Sequence, residues 1–310
     1  MDMTVPVEIR NFPKATFSQL ETRFDREYCV LWAFMHPEQR PCFSMSLLRE
    51  LRQYLDLVGG SHSEPGDQTE FVPVKYAVLA SKTRGIFNLG GDLALFRSLI
   101  ENRDRAALVH YGRACIDNLY PWHRNCDLPL TTISLVQGEA LGGGFEAALS
   151  ATVLIAEESS RMGFPEILFN LFPGMGAYSF LARKVGRRLA EEMITGGTVY
   201  GARQLYDMGV VDVITPDGTG EQAVYSYVRR HAKNANGRQG FERARNEVNP
   251  VTRQELLNVV DIWADTALKL SDRDLKMMER LVRAQLRNAE SQHLDADVSS
   301  NVVPLARAQR

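Results

Sequence analysis

The sequence predicts an α/β fold with mostly parallel strands, and three observations lead there. Short apolar runs alternate with stretches of helical spacing over the first two thirds of the chain. Two glycine-rich breaks, Phe87 to Asp92 and Leu141 to Glu146, fall between strand-like and helix-like segments. The strand signal then stops near Gly218, leaving amphipathic helices behind it.

The run EYCVLWAFM, Glu27 to Met35, is rich in β-formers and reads as a buried strand. Ser44 is placed to cap a helix whose apolar residues, Leu47, Leu48, Leu51, Leu55 and Val58, recur at helical spacing. Gly59 to Pro73 is a loop by composition. Val74 to Ala80 is a second strand, and Asp92 opens a long helical stretch. Thr132 to Val136, Val153 to Ala156 and Val211 to Ile214 are further strands. Beyond them, Leu256, Val259, Val260, Trp263, Ala267 and Leu270 mark one amphipathic helix. Leu275, Met278, Leu281, Val282 and Leu286 mark another, with Ser271 as its cap. The expected organisation is an α/β core over 1–218, a helical region over 219–290 and a frayed polar tail over 291–310.

Composition narrows the function. The 310 residues are 45% hydrophobic and 24% charged, with 36 basic against 38 acidic side chains. A net charge of −2 gives no basic field for nucleic acid. No apolar run reaches the ~20 residues of a membrane span, and the N-terminus has no signal-peptide core. Cys29, Cys42, Cys115 and Cys126 show neither a disulfide framework nor metal-ligand spacing, and the six histidines are scattered. The expectation is a cytoplasmic protein without cofactor, metal or nucleic-acid partner.

The chemistry concentrates at the glycine breaks. A glycine turn leading into a helix leaves backbone N–H groups free at the helix entrance, where the dipole favours negative charge. One such turn is ordinary in α/β proteins, and neither fits a phosphate-binding pattern. Two in one fold point to paired donors converging on one oxygen, an oxyanion hole. Glu146 lies just inside the second helix, and Glu166 sits in the otherwise apolar stretch Phe164 to Phe169. Burial would raise such carboxyls into the working range of a general acid or base. The alternative for Glu166 alone is a buried side chain capping a turn. Two carboxylates beside an oxyanion hole suit proton removal next to a thioester carbonyl.

The segments Asn88 to Asp92, Val136 to Glu146 and Phe164 to Ile167, followed by Phe172 to Ala177, resemble the crotonase (enoyl-CoA hydratase/isomerase) superfamily. Phe87 to Phe96, Gly142 to Ser150, Leu171 to Phe180, Ile262 to Ala267 and Arg280 to Gln285 resemble its diffusible signal factor synthases, which make cis-2-unsaturated fatty acid signals. The resemblance implies a spiral of repeated ββα units, with the helical C-terminal region over the active site and a homotrimer or dimer of trimers. It places the oxyanion donors at Gly91 and Gly143, the catalytic acids at Glu146 and Glu166, and substrate contacts at Gly90, Gly142 and Trp263. By analogy with hydratases Glu166 takes the α-proton and Glu146 protonates the departing hydroxyl; the sequence itself leaves the two roles open. The implied substrate is a 3-hydroxyacyl thioester on acyl carrier protein, dehydrated and then hydrolysed, and a cognate sensor kinase is an implied partner.

Two rivals stand beside this reading: an ordinary enoyl-CoA hydratase or isomerase, and a non-catalytic scaffold that regulates a partner. Trp263 reads either as plain core or as a wall of an acyl tunnel. Arg183, Lys184, Arg187 and Arg188 read either as a solvated helix end or as a docking patch for the acidic carrier.

Overall fold

The computed structural model describes residues 16–37, 40–60, 74–281 and 283. The expected tail over 291–310, and most of the expected loop before Pro73, lie outside the described residues, as do Val282 and Leu286. Among the described residues ten strands form two sheets. The larger has the order β1 (Leu20–Asp25), β2 (Val30–Met35), β3 (Tyr76–Ser81), β5 (Thr131–Val136), β7 (Val153–Glu157), β10 (Val213–Thr215). Only the β1–β2 pair in it is antiparallel. The smaller has the order β4 (Gly85–Asn88), β6 (Gly138–Leu141), β8 (Arg161–Gly163), β9 (Val199–Gly201).

The chain alternates between the sheets. β3, β5 and β7 are neighbours in the large sheet, and each is followed directly by β4, β6 or β8, which are neighbours in the small one. A helix closes each turn, so the ββα spiral implied by the resemblance is the observed fold. The large sheet is covered on both faces, which is why its central strands are buried at every residue rather than at alternate ones. One face carries Leu31, Ala33, Leu79 and Val136 into the main core with α1 (Met45–Gly60) and α3 (Arg105–His123). The other carries Trp32, Val78, Ile133 and Ile155 against Val224, Tyr227 and Val228 of α8 (Gly220–His231). α8 therefore completes the sheet, although the sequence groups it with the helical region after residue 218.

The helical stretch that opens at Asp92 is two helices. Asp92 caps α2 (Leu93–Glu101) by accepting from the Ala94 and Leu95 amides. Arg103 then takes a left-handed φ of 53°, and Asp104 caps α3 by accepting from Ala107 N at 2.9 Å. A second capping aspartate thus restarts the helix in a new direction. The remaining helices are α4 (Gly143–Ser150), α5 (Ala177–Val185), α6 (Arg187–Gly196), α7 (Ala202–Asp207), α9 (Ala235–Val248) and α10 (Arg253–Ala267). Helical turns resume over 272–281. α10 lies along α3, with Leu256, Val260, Trp263, Ala264 and Ala267 buried on its inner face.

Candidate active site

The small sheet assembles the site. Its strands β4, β6 and β8 run parallel, so their C-terminal ends lie side by side. After β4 comes the Gly90–Gly91 turn, after β6 the Gly142–Gly143 turn, and after β8 the short 3-10 helix Pro165–Phe169 that carries Glu166. Three segments distant in sequence therefore meet at one sheet edge.

The two glycine turns touch. Gly90 has φ +94°, and a Cβ there would stand 2.9 Å from Gly143 N and 2.8 Å from Leu141 O. Only glycine lets the turns approach this closely. The Asn88 side chain braces the first turn by accepting from Gly90 N at 2.8 Å. The amides of Gly91 and Gly143 donate to no acceptor among the described residues, and both glycines line the same cavity. Two unspent donors on adjacent turns are the arrangement that an oxyanion hole needs.

Glu146 is 1% exposed on α4. Its Oε1 accepts from Met175 N at 2.8 Å and Ala177 N at 2.9 Å, so one oxygen is fixed and the other remains for chemistry. Burial pushes its carboxyl up to about 7, with the two N–H bonds pulling the other way. Glu166 is held differently. Its Oε2 is shielded from solvent and has no hydrogen-bond partner among the described residues, while Oε1 lies over Gly142. A Cβ at Gly142, where φ is +54°, would come within 2.3 Å of that oxygen. Gly142 thus makes room for the second carboxylate. Burial and then the neighbouring Glu146 push Glu166 up to about 8. The pair shares protons near neutral pH and titrates as a unit.

Both carboxylates open on a cavity of about 1100 Å³, the space at its mouth included. Its wall is mainly apolar and is supplied by α1, α3 and α10. Trp263 is 2% exposed and lines it, edge-on to Phe96 at 5.1 Å. Its ring rests on Gly174, where a Cβ would lie 2.4 Å from the indole Cγ. Trp263 is therefore both core and wall, and it braces the loop whose Met175 and Ala177 amides hold Glu146. The sequence quotes that loop as a motif, but its task as a clamp on Glu146 is visible only in three dimensions. Gly90 and Gly142 line the cavity too.

The basic cluster is mostly spent within the chain. Arg183 pairs with Glu255 at 2.9 Å and reaches Pro250 O, Lys184 pairs with Asp212 at 2.7 Å, and Arg187 pairs with Glu191 at 2.7 Å. Arg188 is exposed. This arrangement fits the solvated-helix-end alternative, since separations of 72 and 28 residues hid two of the partners from sequence reading. Among the described residues no three His, Cys, Asp or Glu side chains gather as metal ligands, and no helix is long and apolar enough to cross a membrane.

The family model for enoyl-CoA hydratase/isomerase matches residues 34–274. The chain is 33% identical over 185 residues to an enoyl-CoA isomerase/hydratase of Mycosarcoma maydis, covering 59% of this chain and 64% of that one. It is 30% identical over 131 residues to a probable enoyl-CoA hydratase of Bacillus subtilis, covering 42% and 48%. It is 30% identical over 152 residues to the human mitochondrial methylglutaconyl-CoA hydratase, covering 49% and 43%. The chain thus spans about half to two thirds of the length of these relatives. Among solved structures, an enoyl-CoA hydratase from Bacillus halodurans superposes with a TM-score of 0.72 at 16% identity, over 85% of this chain and all of that one. DspI from Pseudomonas aeruginosa superposes with a TM-score of 0.64 at 20% identity, over 78% and 93%. These structures share the fold, and with the family match they fix the assignment: the chain belongs to the enoyl-CoA hydratase/isomerase family, the crotonase superfamily.

Proposed function

We propose that this chain removes water from a 3-hydroxyacyl thioester on acyl carrier protein, giving the cis-2-enoyl chain, and then hydrolyses the thioester to the free fatty acid. One observation carries the water chemistry: the buried Glu146 and the half-buried Glu166 share a cavity with the paired Gly91 and Gly143 amides. The thioester oxygen seated on those amides makes the α-proton removable, because enolate charge develops where the donors already point. The singly protonated pair reacts through the less populated of two nearly matched tautomers, with the proton on Glu146, and the ionised Glu166 takes the α-proton. Glu146 gives a proton to the C3 hydroxyl, the C3–O bond breaks and water leaves. The pair then resets by passing one proton back, which near-matched pKa values of about 7 and about 8 make easy. For hydrolysis a water activated by one carboxylate attacks C1, and the thiol departs with the proton.

The carrier-bound substrate and the release of free acid rest on the resemblance of the turn and C-terminal segments to the diffusible signal factor synthases. A second reading, hydration or isomerisation of an ordinary enoyl-CoA, is favoured by the names of the curated relatives. Incubating the purified chain with matched 3-hydroxyacyl chains on carrier protein and on coenzyme A separates the two. Free cis-2-enoic acid from the carrier substrate supports the first. Interconversion of enoyl- and hydroxyacyl-CoA with no free acid supports the second.

A further inference from the structure

The wall of the cavity is not apolar along its whole length. α3 supplies Tyr111, Cys115, Asn118, Leu119 and Trp122 to it, spaced as one helical face. Tyr111 marks the catalytic end: its hydroxyl donates to Phe43 O at 2.6 Å and lies 3.6 Å from the Cβ position of Gly91. Trp122 stands about 16 Å further along the helix axis. A carbon chain of ~1.5 Å bonds covers that distance in about a dozen carbons. The end of an acyl chain of that length therefore reaches Asn118 and Trp122.

Two polar atoms wait there without partners. Asn118 Nδ2 donates to Leu48 O at 3.1 Å and Ala114 O at 2.9 Å. Two carbonyl acceptors fix which way the amide faces, so its Oδ1 is turned away from them as a free acceptor. Trp122 Nε1 is a donor with no acceptor among the described residues. Asn118 is 8% exposed and Trp122 5% exposed, and they sit one turn apart. Ser150 lines the same cavity, its hydroxyl already donating to Ala147 O at 2.7 Å with lone pairs left over. Buried polar groups are paired in nearly all folded proteins, so an enclosed donor and acceptor on two residues that line one cavity call for a partner.

We propose that Asn118 and Trp122 form a hydrogen-bonding subsite for a hydroxyl group near the far end of the acyl chain, beyond the reacting carbons. A hydroxyl suits both atoms at once: its proton goes to Asn118 Oδ1, and its oxygen accepts from Trp122 Nε1. A plain methyl terminus satisfies neither, and a site built to bond a hydroxyl discriminates against the analogue that lacks it. This inference rests on the reading that the cavity takes an acyl chain, and its test separates the two.

The test is calorimetric titration of the purified chain with free fatty acids of about ten to fourteen carbons, plain or hydroxylated at the last or next-to-last carbon. At the matching length the hydroxylated acid should bind about tenfold tighter or more, the ratio expected for one buried hydrogen-bonding group. In Trp122→Phe, which keeps a ring but loses the N–H, that ratio should fall towards one. The wild-type series decides the matter alone should the variant fold poorly. Equal or weaker binding of the hydroxylated acid at every length overturns the subsite while the acyl cavity stands. A preference that persists in Trp122→Phe also overturns it, leaving an enclosed water as the partner of the indole. Failure of every fatty acid to bind overturns the acyl cavity itself, and the subsite with it.

Discussion

Glu146 and Glu166 face one cavity from two differently built segments. Glu146 stands on a regular helix, one oxygen locked by two backbone amides. Glu166 stands on a single 3-10 turn that ends at Asn170 in the left-handed region, with its neighbour Leu168 51% exposed. Its carboxyl sits in the gap above Gly142, with Oε2 unpartnered among the described residues and only its own backbone N–H as a donor. The same side chain is thus a fixed acid in one place and an unanchored one in the other. Burial and then its partner's charge raise Glu166, with only its own backbone N–H pulling the other way, so it holds its proton to higher pH.

The largest test removes either carboxylate. Glu146→Gln keeps an oxygen that can accept from Met175 and Ala177, so the loop should stay in place while proton transfer is lost. Turnover should fall ~10²–10⁴-fold for this variant and for Glu166→Gln, measured as kcat under saturating thioester. Near-full activity of either would show that one carboxylate is merely structural.

Gly142→Ala acts first on the unanchored acid, and also on the turn that carries the Gly143 amide. The added methyl meets Glu166 Oε1 at 2.3 Å on a backbone at φ +54°, and displacing a reacting group by about 1 Å costs on the order of 10²-fold in rate. An unchanged kcat would mean that Glu166 is not held by that gap.

Trp263→Ala should act through the anchored acid and the wall together. Opening the wall shifts chain-length preference in a graded way, by about 10-fold or more across neighbouring lengths, and loosening Gly174 lowers kcat through the Glu146 clamp. Competition between acyl chains read by mass spectrometry, alongside kcat for one chain, separates the two effects. No change in either would return Trp263 to plain core.

The smallest expected effect is on pH behaviour. Both folded-state pKa values lie above the ordinary carboxylate value of 4.5. The folded protein therefore binds more protons than the unfolded chain between pH 4.5 and about 8. The stability these groups lend is full below 4.5 and is lost as pH rises through about 7 to 8. Thermal unfolding should show Tm declining over that window, and Glu166→Gln should flatten the decline. In Glu146→Gln the remaining Glu166 loses its repelling neighbour, so its apparent pKa in the rate profile should move down.

Both acids and both glycine turns were legible in the sequence because their signals are local: glycines where free amides are needed, and carboxylates among apolar neighbours. Five large-sheet strands, β2, β3, β5, β7 and β10, were legible as short runs rich in β-formers, but β1 was not, since charged residues interrupt LETRFD. β4, β6, β8 and β9 were not, since three or four residues are too few to show a period of two. The omission matters because these strands bring the turns together; the glycine turns follow β4 and β6, not the apolar strands before them. α8 falls inside the span that the sequence assigns only as a helical region, and periodicity reveals that a face is buried and not against what. The Met175 and Ala177 clamp, and the Arg183–Glu255 pair, join residues that only the fold makes neighbours.

The central claim is that Glu146 and Glu166 move the protons that release water from C3 of an acyl thioester. A 3-hydroxyacyl carrier protein with a heavy-oxygen label at C3 tests it directly, by mass spectrometry of both acyl product and solvent water. The wild-type chain should transfer the label to water as the C2–C3 double bond forms, and a Glu146→Gln, Glu166→Gln double variant should leave it on the chain. Label retained in a product whose structure has changed, or label lost as readily in the double variant, would contradict it.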